Sequence, residues 1–90
     1  MKIEEIEDNL QSILDDISND IDEQLEIKSE IDEGSAYLAH LKFDLKNGDK
    51  IYRKEISIDL VPCARFDKDG VRHHLSLIAS DVYKEFKING

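Results

Sequence analysis

Cys63 and the histidines His40, His73 and His74 are the side chains of this 90-residue chain best suited by type to covalent or metal chemistry. A thiolate beside an imidazole is a nucleophile with its base, and cysteine with histidine is a common ligand set for zinc. The spacing argues against both. Cys63 follows Pro62 among residues of strand character, where a lone cysteine packs as a small hydrophobe. His73 and His74 are adjacent in a strand expected over Val71–Leu77, so their rings diverge. His73 would face the core or an edge with Val71, Leu75 and Leu77, and His74 would face outward with Arg72 and Ser76.

No ligand spacing links His40, Cys63, His73 and His74, so neither a metal nor another cofactor is expected. Asp67-Lys68-Asp69-Gly70 resembles the start of a calcium loop, but Val71 takes the third ligand position and no glutamate stands at the twelfth. It reads as a turn. Without a phosphate-cradling glycine loop or a convergent acid, base and nucleophile, the chain is read as a non-enzyme.

The elements that would position any site divide the chain by charge. Residues 1–33 hold thirteen Asp/Glu against Lys2 and Lys28, giving −11, whereas residues 34–90 hold eight against ten Lys/Arg, giving +2. Within the acidic part, Ile3, Ile6, Leu10, Ile13, Leu14, Ile17, Ile21, Leu25, Ile27 and Ile31 follow helical spacing. At 100° per residue they fill an arc of roughly 160°. Glu4, Glu5, Asp8, Asp15, Asp16, Asp22, Glu23, Glu26, Glu30 and Glu33 fill an opposite arc of roughly 120°.

The spacing predicts one amphipathic helix over residues 1–33, stopped at Gly34. The alternative is two helices, about 2–17 and 21–33, divided at Ser18-Asn19-Asp20, which favour caps and turns. Like-charged i, i+4 pairs such as Asp22–Glu26 cost roughly 0.2–0.5 kcal/mol each. One buried Leu or Ile returns about 1.5–3 kcal/mol, so docking of the stripe outweighs the repulsion.

Over roughly 43 Å of continuous helix, ten carboxylates average one per roughly 4 Å. A DNA strand places one phosphate per roughly 3.4 Å. The carboxylate row is therefore read as a partner-binding face that imitates a phosphate backbone. The plainer reading is a solvated face that keeps the chain soluble. In an alternative role, Ile3, Ile6, Leu10, Ile13 and Ile17, with 3-4-3-4 spacing, form a helical homodimer contact.

The remainder reads as an antiparallel sheet over residues 35–78 and a short helix over 79–88. Tyr37, Ala39, Leu41, Phe43 and Leu45 alternate with polar residues, and Asn47-Gly48 predicts a type I′ hairpin turn. That turn would set Phe43 opposite Tyr52, Ala39 opposite Ile56 and Tyr37 opposite Ile58. Pro62 ends the second strand. A short strand at Cys63–Phe66 leads through the Asp67–Gly70 turn to another, and Ser80 caps the last helix.

The expected fold is a single α+β domain: a long acidic helix, or two, on a three- or four-stranded antiparallel sheet. No apolar run reaches the roughly 20 residues needed to cross a bilayer, and the acidic beginning lacks the pattern of a signal peptide. The lone cysteine fits a reducing cytoplasm. Net charge −9 disfavours direct binding to nucleic acid or an anionic membrane and favours a basic protein. The leading expectation is a non-enzymatic inhibitor of a nucleic-acid-binding protein, by analogy of size and charge with phage anti-defence proteins, antitoxins and immunity proteins. The alternative is an oligomerising adaptor using the apolar stripe.

Overall fold

A helix stop at Ile21 decides the architecture. In the computed structural model, which describes residues 2–32, 34 and 37–89, α1 spans Ile3–Ile21. Glu4 and Glu5 occupy its first turn, where the helix dipole favours negative charge. Ile6, Leu10, Ile13, Leu14 and Ile17 form its buried stripe. At its end Asp22 is extended, and its carboxylate accepts the Gln24 N–H at 2.9 Å, turning the chain.

The next element is a strand, not more helix. Strand β1 spans Leu25–Asp32, β2 spans Leu38–Asn47 and β3 spans Lys50–Asp59. They form an antiparallel sheet in the order β1-β2-β3. The 1–33 helix expected from spacing is thus corrected to helix plus strand. Leu25, Ile27 and Ile31 share one parity, and the phase of a helix hid this period of two. One-helix and two-helix readings both fail beyond Ile21.

The hairpin forms, with its register displaced by two residues. Asn47 pairs with Lys50, Leu45 with Tyr52, Phe43 with Lys54, Leu41 with Ile56 and Ala39 with Ile58. Gly48 alone of the two central residues has positive φ, 64°, as a glycine-first type II′ turn requires. Because the displacement is even, the expected residues still share a face.

Beyond Pro62 the strand expectations are overturned. Pro62–Arg65 is one turn of 3-10 helix, with proline at its first position. Lys68–Asn89 is a 22-residue helix, α2. Asp67 caps it: its carboxylate accepts the Gly70 N–H at 2.8 Å and its carbonyl accepts the Val71 N–H at 3.0 Å. Val71, Leu75, Ala79, Val82 and Phe86 are its buried side chains, a helical stripe. Leu77, assigned to the core by alternation, is 54% exposed, and Ser80 lies mid-helix.

Both helices cover one face of the sheet, giving an α+β fold of two layers. Phe43 on the central strand is fully buried, with Leu41, Leu45 and Ala39 beside it. Leu60 and Cys63 complete the same core. The other face, bearing Glu26, Lys28, Glu30, Lys42, Arg53 and Glu55, is uncovered.

The middle of the outer edge of β1 is covered by a side chain. Gln11 Nε2 donates to the Ile27 carbonyl at 2.8 Å, and its Oε1 accepts the Ser29 N–H and hydroxyl, each at 2.9 Å. A single amide thus stands in for the next strand, satisfying edge groups that would otherwise invite pairing.

Candidate functional site

The acidic side chains occupy three elements rather than one. Glu4, Glu5 and Asp8 are exposed near the start of α1, and Asp15 and Asp16 near its end. Glu23 is exposed in the turn, while Glu26 and Glu30 project from the open face of β1. Glu33 lies outside the described residues. The continuous row is therefore broken: Asp8 and Asp15 are separated by about 10 Å of helix that bears no acid. Even spacing at phosphate intervals is absent along α1.

Folding instead gathers carboxylates sideways, because β1 turns back beside α1. An open cleft of about 410 Å³ is lined by Asp15 from the helix, Glu23 from the turn, Glu26 from the strand, and Lys46 from β2. Glu4, Glu5, Asp8, Glu23 and Glu30 have no ion-pair partner among the described residues.

Other acids are already engaged. Arg72 on α2 donates to Asp20 at 2.8 Å and lies 3.5 Å from Asp16. Asp22 is half-buried and accepts from the Tyr83 hydroxyl at 2.8 Å. Asp22 therefore holds α1, the turn and α2 together, a structural duty that sequence spacing placed on the binding face. Asp20 and Asp32 fall off the helical arc and so lie outside the expected row; Asp20 accepts from Arg72, and Asp32 lies beside His40.

The Gln24 N–H, then the Tyr83 hydroxyl, and then the charge of Lys87 hold the Asp22 carboxyl below the usual carboxylate range, against the opposing effect of burial. A depressed carboxyl contributes stability that is complete above its unfolded pKa, about 3.9, and is lost as pH falls through the folded value. Tyr83→Phe is expected to be less stable than the parent at pH 7, with the gap closing as pH drops below about 4. Denaturant titrations across pH check this. A gap of constant size would show that Tyr83 acts through packing alone.

The apolar stripe is not available to a second chain. Ile6, Leu10, Ile13 and Ile17 are at most 6% exposed inside the core, and Ile3 is half-buried. The helical dimer contact is corrected accordingly: a 19-residue α1 fits the sheet, leaving no overhang to cover.

The side chains of chemical interest separate. Cys63 is 1% exposed, and burial, followed by the charge of Asp59, pushes its thiol up, away from the reactive thiolate. His73 is exposed and His74 half-buried on α2, with the His74 ring 5.7 Å from Phe66. Among the described residues no group of three or more His, Cys, Asp or Glu could hold a metal ion.

One constellation arose that the sequence did not suggest. His40 Nδ1 lies 2.8 Å from Ser57 Oγ, while its Nε2 lies 3.4 Å from Asp32 Oδ2. The order Ser–His–Asp has the outline of a nucleophile, base and orienting acid. It lies on an open sheet face, however, where backbone N–H groups lie in the sheet plane rather than converging on an oxyanion position. We read it as a polar ladder across three strands. Its signal is the pairing of His40 with Ser57, which only the observed register supplies.

No protein-family model, curated protein or solved structure matches this chain. No helix among the described residues is long and apolar enough to cross a membrane.

Proposed function

We propose that this protein is a non-enzymatic acidic binding protein that inhibits a nucleic-acid-binding protein by occupying its cationic groove. The carrying observation is the concentration of negative charge in the α1–β1 part of the chain. Described residues 2–32 bear twelve carboxylates against Lys2 and Lys28, giving −10, whereas described residues 37–89 bear eight against ten Lys/Arg, giving +2. The unpaired acids lie on the exposed side of α1, in the turn and on the open face of β1.

Such a face attracts a basic surface over distance and speeds encounter, with strong sensitivity to salt. Competition with nucleic acid then arises from charge and steric occupation, without phosphate-like regularity. The wild-type protein is expected to retain a nucleic-acid-binding protein from lysate at low salt and to release it to duplex DNA, RNA or added salt. A variant carrying Glu4→Gln, Glu5→Gln, Asp8→Asn, Glu23→Gln and Glu30→Gln removes only unpaired charges, so its fold is expected to persist. It should lose capture, with association slowed by about tenfold or more. Undiminished capture by this variant, or a partner indifferent to nucleic acid and salt, would remove the proposal.

A further inference from the structure

The two sheet edges differ. Gln11 bonds to Ile27 and Ser29, so odd-numbered residues of β1 direct their backbone groups outward. Alternation across the antiparallel ladder then turns the N–H and C=O groups of Ile51, Arg53, Glu55 and Ser57 away from β2. No described residue hydrogen-bonds these groups. Thus β3 presents a bare edge within a ten-residue strand, while the edge of β1 is bridged at its middle by Gln11.

The edge carries self-complementary charge. On the uncovered sheet face, Arg53 lies 3.4 Å from Asp44, in a row that begins with Glu26. Glu55 lies 3.8 Å from Lys42, in a row that begins with Lys28. One row therefore ends at the edge in a cation and the neighbouring row ends in an anion. Turning a second copy by a half rotation brings each ending against its opposite.

We propose that β3 pairs with β3 of a second copy, antiparallel, with Arg53 opposite Glu55 of the other copy on both sides of a two-fold axis at Lys54. This register aligns nearly the whole strand and sets Tyr52 opposite Ile56. Both are half-buried in the single chain and would lose further exposure. Lys54 meets its own copy at the axis, but each Lys54 is ion-paired to Glu85, so the cluster of four charges is neutral. Shifting the register by one pair in either direction would set Arg53 against Arg53 or Glu55 against Glu55. The result is a six-stranded sheet with the acidic α1–β1 sides at its two far ends.

Sedimentation over a concentration series tests the pairing, with circular dichroism to verify folding. The wild type is expected to dimerise. Arg53→Glu or Glu55→Arg alone creates two like-charged pairs and should raise the dimer dissociation constant about tenfold or more. The double variant restores opposite charges across the axis but sets like charges beside Asp44 and Lys42 within each copy, so it should dimerise more tightly than either single variant without reaching the wild type. Register is read by oxidation of Lys54→Cys, whose copies lie opposite each other at about 4.5 Å between Cα atoms, within disulfide reach. A wild type that stays monomeric throughout, a double variant no better than the singles, or crosslinking of Ile56→Cys in place of Lys54→Cys would overturn the inference.

Discussion

Phe43→Ala is expected to lower stability by about 3–5 kcal/mol, the range for removing a fully buried aromatic side chain. Phe43 is 0% exposed, sits on the central strand, and is flanked by Ile27 on β1 and Lys54 on β3. The sheet is held in register by its neighbours, so the space can collapse only in part and a cavity remains. A 90-residue domain has roughly 5–13 kcal/mol in all, so this one change removes a large share. The melting temperature should fall by on the order of 15–30 °C, as monitored by far-ultraviolet circular dichroism. A fall below about 5 °C would mean that the sheet centre carries far less of the core than its burial implies.

Gln11→Glu changes one atom type and should cost about 1–3 kcal/mol at neutral pH. The carboxylate still accepts from Ser29, but it cannot donate to the Ile27 carbonyl and faces that oxygen with negative charge. The affected groups belong to a strand edge, so exposed backbone should also raise the tendency to associate. Protonation restores a donor, and the deficit should narrow as pH falls toward about 4. Denaturant unfolding of both proteins at pH 7 and near pH 4 checks the cost and its pH dependence together. Equal stability at pH 7 would show that water replaces the amide at no loss.

The alternation through Phe43 and the glycine at position 48 specify a hairpin but not its register: Gly48 opens the two-residue turn instead of ending it, which displaces the pairing by two. Leu25–Ile31 fits a strand and also continues the helical phase of α1, so local pattern alone does not divide the acidic segment at Ile21. The opposite error occurred at Val71–Leu77, where alternation hid the wider stripe Val71, Leu75, Ala79, Val82 and Phe86. The two errors offset each other: a strand was lost at one end of the chain and a helix shortened at the other, while the α+β layering survived.

Sites were less legible than elements. The abundance and outward placement of most carboxylates followed from amphipathic spacing, but their partners did not. Arg72 reaches Asp20 across 52 residues, and Tyr83 reaches Asp22 across 61. Ser57 meets His40 only because the hairpin register is displaced by two. Gln11 meets Ile27 and Ser29 only because β1 lies beside α1, a placement that helical spacing does not supply.

The long reach of α2 also sets an order in time. Sheet order matches chain order, so β1, β2 and β3 each pair with a neighbour in sequence, and α1 folds back on the strand that succeeds it. Closing short loops is entropically cheap, whereas tying Tyr83 to Asp22 must wait for most of the chain. During synthesis, α1 and the sheet could assemble while α2 was still inside the ribosome, leaving Phe43 and its neighbours bare on one side. Docking of α2 is then expected late in folding, and native-state hydrogen exchange should show its amides opening together, below the free energy of global unfolding.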